Sequence, residues 1–318
     1  MALKVLLLLT VTILLFQSVR SQIGFATLNG GTNGGAGGPT VTVSTEADLL
    51  AAVQGNDRRI IRITANIRVA GRVRVGSNKS ILGATANAGI TNGGLFIVDA
   101  ENVIVRGLFL SFPVDPFDCI EIQRSSRVWV DHNELFSNRN NGRDFYDGLF
   151  DINHGSDLIT ASWNHFHTHY KVSLIGNSDD NGSVDSGRLR VSFHHNRFRN
   201  LNSRVPSLRF GTAHLWNNLF EDIDSSTINS RMGAQVLVEN NIFINVRRTI
   251  ITNLDSREDG FANERNNDWG VAHTLRGPFI TRTGTFTSAP YSYQLDNGLG
   301  ANGNIATIVR NGAGKRNF

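Results

Sequence analysis

The feature that most constrains the fold of this 318-residue chain is a repeat in its central part. An asparagine is followed two residues later by a large apolar side chain at five places, at intervals of 31, 32, 22 and 23 residues. The pairs are Asn133/Leu135, Asn164/Phe166, Asn196/Phe198, Asn218/Phe220 and Asn241/Phe243, and Gly107/Phe109 lies 26 residues before the first. Fixed offsets at such intervals are typical of solenoids, in which equivalent units stack on one another.

The segments between these asparagines have the pattern of short strands. Residues 61–63, 73–75, 103–105 and 128–130 are β-branched runs separated by Gly, Asn, Ser and Asp. One helix is predicted near the start: residues 45–48 (Thr-Glu-Ala-Asp) form a capping box, Leu49, Leu50 and Val53 give an apolar face, and Gly55 ends the pattern.

We therefore predict an all-β fold, a right-handed, single-stranded parallel β-helix (a solenoid) with a short N-terminal capping helix. We expect each repeated asparagine to occupy a turn, because Asn tolerates left-handed backbone geometry, and to hydrogen-bond to its equivalents along a column. The alternative is a β-sandwich with coincidental spacing, which the five matches and their aromatic stack disfavour.

The amino terminus has the pattern of a secretory signal peptide. Lys4 is followed by a mainly apolar run over residues 5–16 and by small residues at positions 19 and 21. The run is shorter than the ~20 residues that a membrane-spanning helix needs. We predict a signal peptide over residues 1–21, a single parallel β-helix domain over residues 22–318, and an extracellular protein without a membrane anchor; a buried N-terminal helix is the alternative.

Composition excludes several classes of protein. The formal net charge is only +4, which argues against general nucleic-acid binding. Cys119 is the single cysteine, so an internal disulfide and a Cys-rich zinc site are excluded, and we expect it to be a small core residue.

Acidic residues in the middle third suggest a cation site. Asp147 and Asp151 are separated by an even number of residues, so on one strand they would share a face. Asp118, one turn earlier in a solenoid, could stack beside them. Three carboxylates without a lysine between them would repel one another unless a hard cation such as calcium is bound. The alternative is a group of solvated surface acids.

Basic residues suggest an acidic ligand. Lys171, Arg204 and Arg209 could form a cradle for a polyuronate, because guanidinium groups pair bidentately with carboxylates. Surface salt bridges are the alternative. His165, His167 and His169 alternate and would share one strand face. A zinc site there is conceivable, but alternating polar residues on a solvent-facing strand are commoner.

Taken together, these motifs resemble a pectate lyase of polysaccharide lyase family one. The resemblance extends from about Thr27 to Phe261. It is carried by residues 128–133 (VWVDHN), 146–151 (YDGLFD), 192–196 (SFHHN), 202–211 (NSRVPSLRFG) and 229–234 (NSRMGA). It implies a parallel β-helix with a calcium-binding cleft along one sheet.

The resemblance also implies site residues. Asp118, Asp147 and Asp151 match the primary calcium carboxylates, and Arg204 matches the catalytic arginine. Lys171 and Arg209 match basic residues that hold substrate carboxylates, whereas the Asp131-His132 motif is expected to be structural. The chain departs from the family pattern at two places. Pro116 stands where some members have a further calcium-site aspartate, which bears on the number of calcium ions. Asn153-His154 stand where some members have a substrate-binding lysine, which bears on the contacts at the outer subsites.

The implied reaction is β-elimination on polygalacturonate or de-esterified pectin, with Arg204 as the base that takes the C5 proton. Because a guanidinium normally keeps its proton at neutral pH, the assignment predicts a rate that rises into the alkaline range. We expect a monomer. The alternatives are a glycoside hydrolase with paired carboxylates, a calcium-independent pectin lyase and a non-catalytic polyuronate-binding β-helix.

Overall fold

A computed structural model describes residues 22–270 and 277–316, so the predicted signal peptide lies outside the described residues. The described chain winds through three sheets, here named sheets A, B and C, and the strands that pair within each sheet are parallel. Sheet A has ten strands: Thr40–Val43, Arg59–Ile63, Lys79–Gly83, Glu101–Arg106, Ser126–Asp131, Asp157–Ser162, Arg190–His194, Thr212–Trp216, Gln235–Glu239 and Phe261–Arg265.

Sheets B and C have eight strands each. Those of sheet B are Asn66–Arg68, Gly89–Thr91, Phe109–Ser111, Glu134–Phe136, His165–Lys171, Arg197–Ser203, Leu219–Ile223 and Ile242–Val246. Those of sheet C are Arg72–Val75, Gly94–Val98, Ile120–Gln123, Phe150–Asn153, Leu174–Ile175, Ser207–Arg209, Ile228–Arg231 and Ile250–Ile251. From Arg59 onward the chain visits A, B and C in turn, so each turn adds one strand to each sheet. The predicted parallel β-helix is confirmed, and the β-sandwich alternative is wrong.

The apolar core lies between the three sheets. In-register residues from successive turns stack there, such as Val130, Ala161, Phe193 and Leu215 of sheet A, all fully buried. Alternate side chains of a strand point to opposite faces, which is why the short β-branched runs place one face in this core. Cys119 is buried and free, as expected.

The repeated asparagines form a hydrogen-bonded column at the turns between sheets A and B. The backbone N–H of Asn133 donates to Oδ1 of Asn164 (2.9 Å), and Asn164 donates in the same way to Asn196 (2.9 Å). The column continues through Asn218 and Asn241 to Asn267. The five predicted pairs did not include Asn267, although the large apolar Trp269 follows it two residues later.

Two details of the repeat prediction were wrong. The left-handed conformation belongs to the residue before each column asparagine, for example His132 (φ 50°) before Asn133, and not to the asparagine itself. Sheet B pairs Leu110 with Leu135, so Leu108 and not Gly107 is the equivalent of Asn133. Gly107, with a φ of 74°, takes the left-handed position instead.

An aromatic stack runs beside this column inside the core. Phe166, Phe198, Phe220 and Phe243 have ring centroids 4.7 to 5.0 Å apart and nearly parallel planes, and Trp269 extends the stack. The stack holds successive turns in one register, because each ring contacts the equivalent ring of the next turn.

Three α-helices flank the solenoid in the described residues. Helix α1 (Glu46–Val53) is capped by Thr45, whose hydroxyl accepts a hydrogen bond from the Asp48 N–H (3.2 Å), as the capping box predicted. Its Leu49 and Val53 are buried, whereas Leu50 is 37% exposed and does not belong to the packed face. Helices α2 (Gly182–Asp185) and α3 (Asn304–Gly312) were not predicted.

Helix α3 packs along the outside of sheet B. Its Ile305, Ala306 and Val309 form a small buried cluster with Leu219 and Ile242. No helix in the described parts of the chain has the length and apolarity required to cross a bilayer.

The connections between sheets differ in regularity. In the six turns between strands Glu101–Arg106 and Ile242–Val246, each A-to-B connection has two residues. The B-to-C connections that follow strands Phe109–Ser111, Glu134–Phe136, His165–Lys171, Arg197–Ser203 and Leu219–Ile223 have 8, 13, 2, 3 and 4 residues.

Candidate active site

The residues predicted to act chemically lie on one edge of the solenoid: Lys171 ends a strand of sheet B, and the others lie in the B-to-C connections or on the strands of sheet C that follow. Five consecutive turns contribute to this edge, in the order Asp118, then Asp147 and Asp151, then Lys171, then Arg204 and Arg209, then Arg231. Because neighbouring strands lie about 4.8 Å apart, the row extends over roughly 19 Å. Acidic and basic groups are therefore adjacent along one face.

The acidic end contains two buried carboxylates that face the same glycine. Asp118 and Asp151 are 7% and 8% exposed. The Gly148 N–H donates to Oδ1 of Asp118 (2.6 Å), and the Leu174 N–H donates to Oδ1 of Asp151 (2.8 Å). A Cβ on Gly148 would lie 2.5 Å from Asp118 Oδ1 and 2.6 Å from Asp151 Oδ1, so the chain leaves this space for the two carboxylates.

The ionised form of both carboxylates is disfavoured in the absence of a nearby cation. Burial, reinforced by the charges of Asp151 and Asp147, raises the pKa of Asp118 well above its usual range. Burial raises the pKa of Asp151 to about 7, although the Leu174 N–H and the charge of Arg204 oppose the shift. Two desolvated acids of this kind would both ionise readily only beside a positive charge.

Asp147 differs from the prediction. It precedes the strand Phe150–Asn153 and does not share a strand face with Asp151. Its carboxylate lies 3.1 Å from Nζ of Lys171, which also pairs with Asp144 (2.9 Å). A lysine therefore does border Asp118, Asp147 and Asp151, which we call the acidic group, and the premise that no lysine lies among them was wrong.

Sequence reasoning also missed a fourth acid. Glu121 lies opposite Asp151 in register, is buried, and pairs with Arg72 (Oε2 to Nη2, 3.0 Å). Its charge contributes to the raised pKa values of Asp118 and Asp151. Only knowledge of the register between turns could have identified it, since Glu121 and Asp151 are 30 residues apart.

The acidic group fits a hard divalent cation. All of its donors are carboxylate oxygens, which suit calcium, and the space at Gly148 separates the two buried members. Within the described chain, Asp118, Asp147 and Asp151 do not bring three ligand oxygens within 4.8 Å of one another.

The basic end is a cavity of about 510 Å³ with five arginines in its lining, among them Arg204 and Arg209. Arg204 has a φ of 59°, and its carbonyl accepts a hydrogen bond from the Ser173 N–H (2.7 Å). In the described part of the chain its guanidinium has no hydrogen bond or ion pair. Arg209 is fixed, since its Nε pairs with Asp179 (2.5 Å) and its Nη1 donates to the Gly176 carbonyl (2.9 Å).

Arg231 is the main basic residue that sequence reasoning missed. Its motif was noted, but the residue received no role. It lies opposite Arg209 in register, is 5% exposed, and donates from Nη1 to the Asp255 carbonyl (2.7 Å). Burial, with the charges of Arg209 and Arg204, lowers the pKa of Arg231 to about 10. The cavity is therefore suited to an anionic ligand.

The three alternating histidines do not share one face, contrary to the prediction. Thr168 has a φ of 52°, which interrupts the alternation of the strand. His169 is buried, accepts from the Ser137 hydroxyl (2.6 Å) and donates to the Asp147 carbonyl (2.5 Å). Burial lowers the pKa of His169 to about 4. Burial, together with the positive charges near His165, lowers the pKa of His165 to about 3.

The Asp131-His132 motif lies on sheet A, away from the row of site residues. Asp131 pairs with Nε of Arg106 (2.8 Å) and with Nδ1 of His132 (2.7 Å), and the His132 ring stacks on Trp163. These contacts agree with a structural role.

Comparisons with known proteins agree with this arrangement. The family profile described as pectate lyase matches residues 3–316. A pectate lyase A of Emericella nidulans is 46% identical over 277 residues, covering 86% of this chain and 82% of that protein. A pectate lyase A of Aspergillus niger is 43% identical over 277 residues, covering 86% and 83%.

Solved structures show the same likeness. A pectate lyase from Bacillus sp. N165, determined in complex with trigalacturonate, has a TM-score of 0.82 and 30% identity, covering 93% of this chain and 99% of that chain. A pectate lyase variant from Xanthomonas campestris has a TM-score of 0.79 and 27% identity, with 93% and 98% covered. From its sequence, its fold and its relatives, the chain belongs to the pectate lyase family of polysaccharide lyases.

Proposed function

We propose that this protein is a secreted, calcium-dependent pectate lyase that cleaves polygalacturonate by β-elimination. The observation that carries the proposal is the position of a buried acidic group and an arginine-lined cavity on neighbouring turns of one face. A polyuronate presents a carboxylate on every sugar, so one chain could meet both regions. The trigalacturonate complex of the Bacillus relative supports this class of substrate.

The acidic group is the proposed calcium site. Asp118, Asp147 and Asp151 would hold the ion, with Gly148 leaving room between the two buried carboxylates. When bound, calcium would supply Lewis-acid stabilisation of negative charge that develops on a substrate carboxylate.

Lys171 and Arg209 are the proposed carboxylate ligands. Arg209 is already oriented by Asp179 and Gly176, so little ordering is needed when a uronate binds. Lys171 pairs with Asp144, whose side chain is 82% exposed. A substrate carboxylate can replace this exposed partner with little loss of stability, since solvated ion pairs contribute little.

Arg204 is the proposed base. Its guanidine would take the C5 proton, the C5–H electrons would form the C4=C5 double bond, and the C4–O4 bond would break with its electron pair going to O4, which takes a proton from solvent water. The product is a 4,5-unsaturated uronide and a new chain end. Within the described residues the Arg204 side chain has no hydrogen bond or ion pair, so a nitrogen of its neutral guanidine form would be available to take the proton, and the surrounding cationic groups would stabilise the developing negative charge.

The deciding experiment follows the ultraviolet absorbance of the unsaturated product from polygalacturonate, with calcium and then with a chelator. Calcium-dependent absorbance would support the proposal. Absorbance on methylated chains without calcium indicates a pectin lyase, new reducing ends without absorbance indicate a hydrolase, and the absence of product indicates binding alone. The rate should rise into the alkaline range, and a maximum near pH 5 would contradict Arg204 as the base.

Arg204→Lys tests the base directly. It keeps the positive charge but removes the guanidine, so we expect turnover to be lost while the melting temperature and oligouronide binding are retained. Arg124→Lys is the matched control, since Arg124 pairs with Asp99 on the surface. Turnover in Arg204→Lys close to that of the wild type would refute the assignment.

Secretion rests on residues 1–21. Expression of the full chain in a secreting host should give an extracellular protein whose first residue lies near Gln22. Retention of the uncleaved chain inside the cell would contradict this part of the proposal.

A further inference from the structure

We propose that Glu134, His165 and His167 form a second metal site, specific for a divalent transition-metal ion such as Zn²⁺, on the outer face of sheet B. The site is separate from the acidic group at the sheet C edge. It differs from the histidine trio that the sequence suggested, because Glu134 from the preceding turn takes the place of His169.

The register of the solenoid brings the three side chains together. Glu134 lies directly opposite His165, and Phe136 lies opposite His167. Leu135 and Phe166 between them point into the core, so the three polar side chains point outward. One ligand atom from each residue can be chosen so that all lie within 4.8 Å of one another.

The distances require only small side-chain rotations for binding. Nε2 of His167 lies 3.0 Å from Oε1 of Glu134, and the two imidazole centroids are 4.4 Å apart. Two ligand atoms on a tetrahedral zinc, each about 2.0–2.1 Å from the ion, are about 3.3 Å apart. The Glu134–His167 pair already approaches this separation.

A second observation points to a missing ligand. Nε2 of His165 is buried and has no hydrogen-bond partner in the described residues. Buried polar atoms in native proteins nearly always have a hydrogen-bond partner or a metal ligand role. An imidazole nitrogen without a partner, beside a carboxylate and a second imidazole, therefore indicates that a ligand binds there. A bound metal ion would provide it.

The donor chemistry selects the metal. Two imidazoles and one carboxylate suit zinc and its neighbours, whereas calcium prefers oxygen ligands only. Three protein ligands leave a fourth position for water. The positive charge of the nearby Arg197 is partly compensated, since Arg197 pairs with Glu221 (2.7 Å).

The test uses tag-free, chelator-treated protein in excess calcium, so that the acidic group is occupied. Titration calorimetry with Zn²⁺ should show one ion per chain. His165→Asn and His167→Asn should each weaken binding at least tenfold, and Glu134→Gln should weaken it without changing the fold. His154→Asn is the matched control, because His154 lies on a turn outside the cluster and should bind zinc as the wild type does.

Two further measurements make the result specific. Co²⁺ should give the visible absorption of a tetrahedral site in the wild type and not in His165→Asn. Lyase activity in calcium should be the same in wild type and His165→Asn, which separates this proposal from the proposed function. Absence of zinc uptake, or uptake that is unchanged in the histidine variants or lost only in Asp151→Asn, would overturn it.

Discussion

Asp179 fixes the direction of Arg209, which lines the arginine-rich cavity. It accepts hydrogen bonds from Arg209 Nε (2.5 Å), from the Ser256 hydroxyl (2.8 Å) and from the Arg257 N–H (3.0 Å). Burial alone would raise its pKa, but these donors outweigh burial and lower the pKa of Asp179 to about 2. The folded state therefore favours the ionised form.

This shift predicts a pH-dependent contribution to stability. Because the folded pKa is below the unfolded value of 3.8, the contribution is present above about pH 4 and is lost as the pH falls toward 2. Asp179→Asn should lower the free energy of unfolding by about 1 to 2 kcal/mol at pH 7, after allowance for solvent screening. The difference from wild type should shrink at pH 3.

Denaturant unfolding at pH 7 and pH 3 measures both values. Asp180→Asn is the control, since the Asp180 side chain is 78% exposed and forms a surface ion pair with Arg257. An equal loss of stability in Asp179→Asn at the two pH values would contradict the linkage.

At the scale of single elements, helix α1 closes the first turn of the solenoid. Leu49 is fully buried and the adjacent Leu50 is 37% exposed, so the two leucines differ in burial within one helix. Leu49→Ala should lower the free energy of unfolding by about 2 to 5 kcal/mol, because it leaves a cavity at the end of the core. Leu50→Ala should cost about 0.5 kcal/mol. Thermal and denaturant melts compare them, and equal losses would refute the role of α1 as a cap.

The asparagine column makes a separate prediction. Asn196 is fully buried, its Oδ1 accepts from the backbone and side-chain amides of Asn164, and its Nδ2 donates to the Ala161 carbonyl. Asn196→Ala leaves several of these groups without a partner, so we expect a loss of about 3 kcal/mol in the free energy of unfolding. The exposed Asn140→Ala serves as the control. A loss below 1 kcal/mol in Asn196→Ala would show that the column contributes little.

The same elements show what the sequence can and cannot predict. The column and the stack were predictable because two-residue A-to-B connections keep Asn and Phe at constant offsets. The one-residue error at Gly107 arose because Leu108 has no amide to mark its position. Asp147, Glu121 and the Glu134–His165 pair depend on irregular B-to-C connections or on register between distant turns, which carry no local periodicity.

At the scale of the whole molecule, the acidic group should couple metal binding to folding. Without an ion, buried carboxylates face one another across Gly148, so calcium bound at the proposed site should stabilise the folded state. Calcium at 100 times its Kd should raise the free energy of unfolding by about 2.7 kcal/mol.

Thermal melts with calcium and with a chelator test this coupling. Asp151→Asn should abolish the calcium-dependent rise in melting temperature, and Asp115→Asn, an exposed neighbour outside the acidic group, should retain it. A wild-type protein that melts at the same temperature in both conditions would contradict a calcium site at Asp118, Asp147 and Asp151.

The unequal connections at the two corners have a consequence for how such enzymes can diversify. In the six turns from Glu101–Arg106 to Ile242–Val246 the A-to-B connections all have two residues, and five of them add an amide to the same column, whereas the B-to-C connections take from 2 to 13 residues while the strands on either side stay paired. The side that carries the proposed substrate site is thus the side on which insertions are tolerated. A protein with this fold could change the shape of its proposed substrate site by lengthening one B-to-C connection, while its core remains unchanged.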